Sequence, residues 1–315
     1  MIQGLWHSVS KTEIIRSKLP KIWASNEDIV HSKYSMISLG TETLVMNKKV
    51  PESIQDYMKV PYMKGDFNLP IAYGYALSGI LNNGDKVHVM HPHQDKCIVK
   101  SEALFKDCID LSLKKIPLIS SMETVLNAIW DSDIDNKKKI VVFGFGNIGA
   151  LLATTIKYYF NFEVMVFEHN TWKREKAKQM GFSLFEEDNT KGFDIAFNTT
   201  TSEDILQFCI NNANEEGQII ELSWYGKQNV RLNIGENFHK NRIQIKSSQV
   251  SQIPKHKRTA FDFHKRKTLA ASILKHNIYD DLITNIIPFK EIPDFFNAIR
   301  RKDKLPDGLI YLIKY

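Results

Sequence analysis

The chain of 315 residues is poor in cysteine, with three: Cys97, Cys108 and Cys209. None forms a CxxC pair, so neither a disulfide framework nor a cysteine-rich structural zinc lobe is expected. Long apolar runs are lacking too. The most apolar stretch, residues 140–156, is broken by Asn147 and several glycines, short of the roughly 18 apolar residues of a spanning helix. Residues 1–8 lack a basic patch followed by an apolar core, so no signal peptide is read there. A cytoplasmic protein without a membrane partner is expected. A strong excess of one charge is also missing, since 42 Lys and Arg against 36 Asp and Glu leave a net charge of +6. The one dense basic segment, residues 255–267, reads first as a solvated helix flank and second as a contact for an acidic ligand. No nucleic-acid partner is expected.

What is present suffices for two domains or one large one, since 43% of the residues are apolar and 11% aromatic. Prolines and turn residues break the first hundred residues into strand-like runs at 5–15, 28–38, 86–90 and 96–100. The third follows a turn at Asn82-Asn83-Gly84-Asp85. This portion reads as an all-β module. After Pro117 the rhythm changes. Residues 121–130 place Val125, Leu126, Ile129 and Trp130 on one helical stripe, with Ser121 as a cap. A buried strand at 140–143, a glycine loop, a helix at 147–159 and a second strand at 163–167 form a βαβ unit. Helices at 172–180, 202–212 and 259–276 and strands at 194–198, 218–222 and 242–247 continue the pattern. The last residues revert to strand character at 282–288 and 308–313, around a short helix at 292–300. The class is α/β, a doubly wound parallel sheet flanked by two pieces of a β-rich domain.

The sharpest signal is Gly144-Phe145-Gly146-Asn147-Ile148-Gly149. GxGxxG alone is weak, but here it joins a buried strand to a helix. In that context the glycines have separate tasks: a tight turn, close approach of backbone to a pyrophosphate, and close packing of helix on strand. The helix start adds N–H donors and partial positive charge. Glu168 ends the next strand, where a carboxylate accepts hydrogen bonds from a ribose and repels the extra phosphate of NADP. NAD is therefore preferred, while Lys173 and Arg174 nearby could pair a phosphate and leave NADP open. Methyltransferases that use S-adenosylmethionine also carry a glycine loop after the first strand and an acid after the second, and stand as an alternative.

Four segments resemble the medium-chain dehydrogenase/reductase superfamily, the zinc-type alcohol dehydrogenase relatives: Ile37-Ser-Leu-Gly-Thr-Glu42, Tyr73-Gly-Tyr-Ala-Leu-Ser-Gly79, Glu221-Leu-Ser-Trp-Tyr-Gly226, and Leu282 to Pro288 with Glu291-Ile-Pro293. The ISxGTE signature resembles a short subgroup near the bacteriochlorophyllide dehydrogenases. The resemblance implies a GroES-like β-barrel catalytic domain from residues 1–118 and 280–315, and a Rossmann dinucleotide-binding domain from 119–279. It implies a cleft in which hydride moves to or from nicotinamide, and further cofactor contacts at Thr199, Ser223, Trp224 and Ser248. A homodimer and a small alcohol or carbonyl substrate are also implied.

The departures from the family matter as much. Its first zinc cysteine falls at Leu39, its zinc histidine at Tyr75 and its later cysteine near Ser120. None of these offers the thiolate or imidazole that tetrahedral zinc takes, so no zinc is expected. The relay hydroxyl is kept as Thr41, but the relay histidine is Leu44. Without a Lewis acid, the developing oxyanion needs hydrogen-bond donors, for which Thr41, Tyr75 and His93 are the candidates. His91 and His93 could also lie in exposed loops, or share a face and bind metal while lacking a third ligand. Glu42 and Glu123 could orient a donor, and Asp66 could select substrate. The expected activity is a zinc-independent hydride transfer between NAD(H) and an alcohol/ketone pair or a conjugated carbonyl. The alternative from another class is a non-catalytic dinucleotide sensor.

Overall fold

Residues 1–18, 26–186 and 192–315 are described by the computed structural model. They fall into two units, Met1–Ser120 with Ile283–Pro306 and Ile310–Tyr315, and Ser121–Leu282 with Asp307–Leu309.

In the first unit, the strand-like run read at 5–15 is a hairpin of β1 (Ile2–His7) and β2 (Thr12–Ser17). Its turn is closed by Ser8, whose N–H donates to the Lys11 carbonyl at 2.8 Å. Strand β3 (Glu27–Met36) follows. The all-β reading then fails at α1 (Leu39–Met46). Glu42 explains part of this, because its Oε1 accepts the Ser38 N–H at 2.7 Å and so satisfies a donor at the helix start. The remaining strands of this stretch are β4 (Lys64–Gly65), β5 (Ile71–Ala72), β6 (Leu77–Ile80), β7 (Lys86–Val89) and β8 (Lys96–Lys100).

The second unit begins within α2 (Ile119–Asp131), which starts two residues before the expected cap. Six parallel strands alternate with helices: β9 (Ile140–Phe143), α3 (Asn147–Tyr158), β10 (Val164–Phe167), α4 (Thr171–Gln179), β11 (Ser183–Leu184), β12 (Phe193–Asn198), α5 (Glu203–Asn212), β13 (Ala213–Glu221), α6 (Asn237–Lys240), β14 (Gln244–Ser247) and α7 (Phe263–Ile273). Side-chain caps set the helix starts: Asn170 accepts the Lys173 N–H, Ser202 that of Ile205, and Asp262 that of Lys265. The Asp262 cap is why α7 starts at Phe263 rather than at 259. The strand order β11-β10-β9-β12-β13-β14 is that of a Rossmann sheet, and it reverses direction between β9 and β12. All four side chains of β9 are buried. Phe143 at its end meets Phe167 at 5.2 Å and Phe193 at 5.4 Å between ring centroids. Such pairs contribute about 0.5–1.5 kcal/mol each beyond their buried area.

The chain then re-enters the first unit with β15 (Ile283–Pro288), α8 (Ile292–Arg301) and β16 (Ile310–Lys314). One sheet runs β2-β1-β5-β4 and the other β15-β16-β3-β6-β7, with β8 also paired to β3. Phe289, Ile292, Phe295 and Phe296 pack with Leu5, Ile37 and Met46 into one core.

Candidate functional site

The crevice at the carboxyl ends of β9 and β12 is built by the glycine loop. Gly144 has φ +93°, a left-handed conformation, and a Cβ there would stand 2.8 Å from Thr199 Oγ1. A Cβ on Gly149 would stand 1.9 Å from the Gly144 carbonyl oxygen, so α3 lies directly against the turn. At Gly146 the nearest atom to such a Cβ is Lys173 Nζ at 3.9 Å, which leaves the backbone open to a ligand. The three glycines thus divide the tasks that an anion cradle requires. Phe145 turns inward onto Phe182, 5.6 Å between centroids, while Gly146, Asn147 and Ile148 stay half-buried at the helix start. Thr199 Oγ1 donates to the Phe143 carbonyl at 2.9 Å and ties β12 to the loop.

Glu168 closes the other side. Its Oε2 accepts the Phe145 N–H at 2.7 Å and its Oε1 the Asn170 N–H at 2.9 Å. One lone pair on each oxygen is left for a ribose. Of the two cations that favoured a phosphate, Arg174 is committed elsewhere: its Nη2 donates to both Glu186 oxygens at 2.8 and 3.0 Å, and its Nη1 to the Glu168 carbonyl at 3.1 Å. Lys173 is the cation whose ammonium approaches Gly146.

Past the point where the sheet reverses, a polar network was not legible as a site. Asn198 ends β12, fully buried, and its Nδ2 donates to Glu221 Oε2 at 2.7 Å. Glu221 ends β13 and also accepts from the Ser223 N–H at 2.7 Å and the Tyr225 hydroxyl at 3.2 Å. Burial pushes the Glu221 carboxyl up, against the pull of these hydrogen bonds. Ser223 Oγ donates to the Thr200 carbonyl, and Trp224 beside it is half-buried. Ser248, after β14, donates its N–H to the Glu221 carbonyl at 3.0 Å and its hydroxyl to Asp131 Oδ2 at 2.8 Å. A polar residue closing an apolar strand, as in FDIAFN and GQIIE, was the available signal for Asn198 and Glu221.

In the first unit, Thr41, Tyr75 and His93 join one network around Ser38 and Glu42. The Tyr75 hydroxyl donates to Ser38 Oγ at 2.6 Å. Its phenol is pushed up by burial, while hydrogen bonds with Ser38 and Thr41 act in the opposite direction. His93 is 0% exposed, so it is no exposed loop histidine. Its Nε2 lies 3.0 Å from Glu42 Oε2 and its Nδ1 2.8 Å from Ser35 Oγ. A carboxylate oxygen accepts, so Nε2 is the donor to Glu42, while Nδ1 pairs with the Ser35 hydroxyl. Ser35 Oγ in turn lies 2.8 Å from the Tyr315 hydroxyl. Both His93 nitrogens are therefore engaged. Its ring also fills the space where Gly74, at φ +130°, lacks a side chain, 3.1 Å from that missing Cβ.

The remaining candidates disperse. His91 is buried too, stacked on Tyr62 at 5.2 Å, with Nδ1 2.8 Å from the Pro92 carbonyl. Burial brings its pKa down to about 4. Asp66 accepts the Asn68 N–H at 2.7 Å within its own turn, and Glu123 pairs with Arg266 at 3.2 Å. Ser120 Oγ donates to the Tyr75 carbonyl at 3.0 Å and lies 3.0 Å from His88 Nε2. Among the described residues, no three His, Cys, Asp or Glu side chains gather as a metal site. No described helix is long and apolar enough to cross a membrane.

No family model matches the chain. Over 167 residues, 49% of its length, the chain is 26% identical to (R,R)-butanediol dehydrogenase of Bacillus subtilis. That match spans 46% of the relative, less than half its length. A short chain alcohol dehydrogenase of E. coli CFT073, complexed with NADH, superposes with a TM-score of 0.75 at 13% identity, covering 100% of this chain and 99% of that one. TarJ of S. aureus in complex with NADPH gives 0.72 at 17% identity, with the same coverage of 100% and 99%. At such identities these structures establish the fold, a Rossmann sheet with a separate GroES-like β unit.

Proposed function

We propose that this chain is an oxidoreductase of the medium-chain dehydrogenase kind, which transfers hydride between a nicotinamide dinucleotide and a small alcohol or carbonyl substrate. The observation that carries the reading is the glycine loop at the reversal of the Rossmann sheet, with the Glu168 carboxylate bonded to the loop's own Phe145 N–H. Residues 119–279 are read as the dinucleotide-binding domain, with 1–118 and 280–315 as the catalytic domain. The open backbone at Gly146 and the start of α3 fit a pyrophosphate. Glu168 fits a ribose and disfavours a 2′-phosphate, which supports NAD over NADP. Once bound, the dinucleotide supplies the hydride donor or acceptor. The butanediol dehydrogenase likeness supports a secondary alcohol and its ketone as the substrate class, with a conjugated carbonyl as the variant.

The residues standing where the family keeps its catalytic zinc do not fit that metal. Leu39 is apolar, Tyr75 gives its hydroxyl to Ser38, and Ser120 lies between the Tyr75 carbonyl and His88. We therefore read the chemistry as zinc-independent, in the neighbourhood of the short ISxGTE subgroup. Tyr75 and Thr41 are the groups that would donate to the substrate oxygen, with the Tyr75 proton held on Ser38 at rest. His93, with both nitrogens engaged, acts on Glu42 and through it on Ser38 rather than on substrate. The exposed edge strand β14 supports a homodimer through the Rossmann sheet.

The test is titration of protein fluorescence with NADH, NADPH and S-adenosylmethionine. Tighter binding of NADH by about tenfold is expected. Binding of S-adenosylmethionine alone, or of none of the three, overturns the reading. Turnover with a panel of ketones and conjugated carbonyls separates enzyme from sensor. Tyr75→Phe is expected to lower kcat about 100-fold, the lower range for a positioned proton donor, at unchanged NADH affinity.

A further inference from the structure

The segment that follows β14 has little of its own to hold it. β14 is the edge of the parallel sheet and all four of its residues are exposed. Yet the next two residues are fastened three times. The Ser248 N–H donates to the Glu221 carbonyl at 3.0 Å, the Ser248 hydroxyl to Asp131 Oδ2 at 2.8 Å, and Asn127 Nδ2 to the Gln249 carbonyl at 3.1 Å. Asn127 and Asp131 sit one turn apart on α2, and Asn127 Nδ2 also reaches Asp131 Oδ2 at 3.2 Å.

Asn127 is itself oriented from behind. It is 1% exposed, and its Oδ1 accepts from Arg266 Nη1 at 2.9 Å. Arg266, on α7, is 3% exposed and gives its Nε to Glu123 Oε1 at 3.2 Å. The solvated flank expected for residues 255–267 is thus interrupted by a buried guanidinium. A cation facing Oδ1 fixes which end of the amide points at Gln249, because only the NH2 end can donate to a carbonyl. Burying an Arg–Glu pair brings little net stability, since desolvation offsets the attraction. What this pair does provide is a single orientation for the Asn127 amide.

In a doubly wound sheet the two nucleotides of a dinucleotide lie on opposite halves, outside the carboxyl ends of the strands. Glu168 marks the β9–β10–β11 half for adenosine. The carboxyl ends of β12, β13 and β14, and so Ser248 and Gln249, belong to the other half. Resting on the dinucleotide reading above, we propose that Asn127, oriented by Arg266 and Glu123, is a positioning residue that holds the Ser248–Gln249 segment in register for the nicotinamide nucleotide. Its effect falls on that half of the ligand alone.

The experiment compares NADH with ADP-ribose, which lacks the nicotinamide, as titrants of the full-length protein. Asn127→Leu keeps the size of the side chain and removes its donors. It is expected to weaken NADH about tenfold while ADP-ribose affinity stays within about twofold. Ser248→Ala removes the Asp131 fastening without touching the buried pair, and is expected to give the same split at about threefold. Equal losses for both ligands in the Ser248→Ala protein, or no loss for NADH in either variant, overturn the proposal and leave the dinucleotide reading standing. Failure of the unaltered protein to bind either titrant overturns both.

Discussion

The two units bury different kinds of side chain. Thirteen of the chain's 18 phenylalanines lie in residues 121–282, and Phe143, Phe185 and Phe193 pack together in the core of the parallel sheet. In the β unit, four of five histidines are buried, His7, His88, His91 and His93, whereas His169, His239, His256, His264 and His276 in the Rossmann unit are all exposed. A core of phenyl rings gains from buried area and is indifferent to protons. A core that includes imidazoles holds only while most of them stay neutral or paired. In the Rossmann unit the buried Glu123 and Arg266 and the half-buried Glu221 sit in α2, in α7 and at the end of β13, while the thiol inside the phenylalanine cluster, Cys209, is held protonated by burial. The lesson is that one chain can rest its glycine loop on proton-insensitive phenyl packing, with buried carboxylates outside that cluster, while its buried imidazoles lie in the other unit.

The largest effect expected is in the cradle. Gly149→Ala puts a Cβ where the Gly144 carbonyl lies 1.9 Å away, so α3 must back off from the turn. NADH affinity should fall about 100-fold, near 2.7 kcal/mol, by fluorescence titration. The same variant should leave Cys97, in the β unit, as protected from a thiol reagent as before. Loss of Cys97 protection together with NADH affinity would mean that the units do not fail separately.

Acid should then separate the units by sign. Burial brings the His7 pKa down to about 3, with His93 and Arg300 acting in the same sense, and that of His91 down to about 4, with Lys64 and His93 adding to burial against the Pro92 carbonyl. Both rings are neutral in the fold, so the stability they contribute is present above pH 6.5 and is lost as pH falls from there toward 4 and 3. Each group costs about 1.4 kcal/mol per pH unit over its window. Glu123 and Glu221 run the other way. Burial raises both above 4.5, so they contribute most below that value, and this is lost as pH rises through their folded values. Between pH 6.5 and 4.5 the β unit should therefore weaken while the Rossmann unit does not. Urea unfolding at several pH values checks this. His91→Phe, which keeps the stack on Tyr62, should remove about half of the acid slope, and an unchanged slope would refute the assignment.

The third effect sharpens the cradle's preference. Glu168→Ala leaves the Phe145 and Asn170 N–H groups without their acceptor and removes the charge opposed to a 2′-phosphate. The ratio of NADH to NADPH affinity should drop about tenfold. Retention of the ratio would move the discrimination to Lys173.

Much of the parallel sheet was legible in the chain, because the strand Ile140–Phe143 is unbroken apolar residues and the loop after it carries glycines at fixed offsets. Local rules also gave the helices at 172–180 and 202–212, but the one cap they suggested, Ser121, lies inside α2, which starts at Ile119. They failed where a residue's state is set from far along the chain. His93 reads in the chain as a donor to the substrate oxygen or else as an exposed loop histidine, yet its state depends on Ser35, 58 residues before it, and on Tyr315, which bonds Ser35 from 280 residues away. Arg266 read as one more surface cation, and only Glu123 and Asn127, 143 and 139 residues earlier, draw it inside. The helix Leu39–Met46 was missed because Gly40, Thr41 and Thr43 give weak helical preference. Its start is held instead by Glu42, whose other oxygen faces His93.

The smallest effect uses the three thiols as separate reporters. Burial pushes Cys97 up to about 12 and Cys108 up to about 11, and Cys209 is raised as well, so the native thiols carry almost no thiolate at neutral pH. Labelling must then wait for local opening, and its rate follows the stability of the region around each cysteine. Cys97 and Cys108 report on the β unit, and Cys209, on α5, reports on the Rossmann unit. With a disulfide reagent that stays reactive in mild acid, and with the loss of thiolate common to both opened sites cancelled in the ratio, lowering the pH from 7 to 5 should speed Cys97 several-fold relative to Cys209, as read by peptide mass spectrometry. Saturating NADH should slow Cys209, because a ligand stabilises what it binds by mass action. The change at Cys97 should be smaller. Equal protection of the two would show that the units open as one, and the contrast between a phenylalanine core and a histidine core would then have no separate consequence for stability.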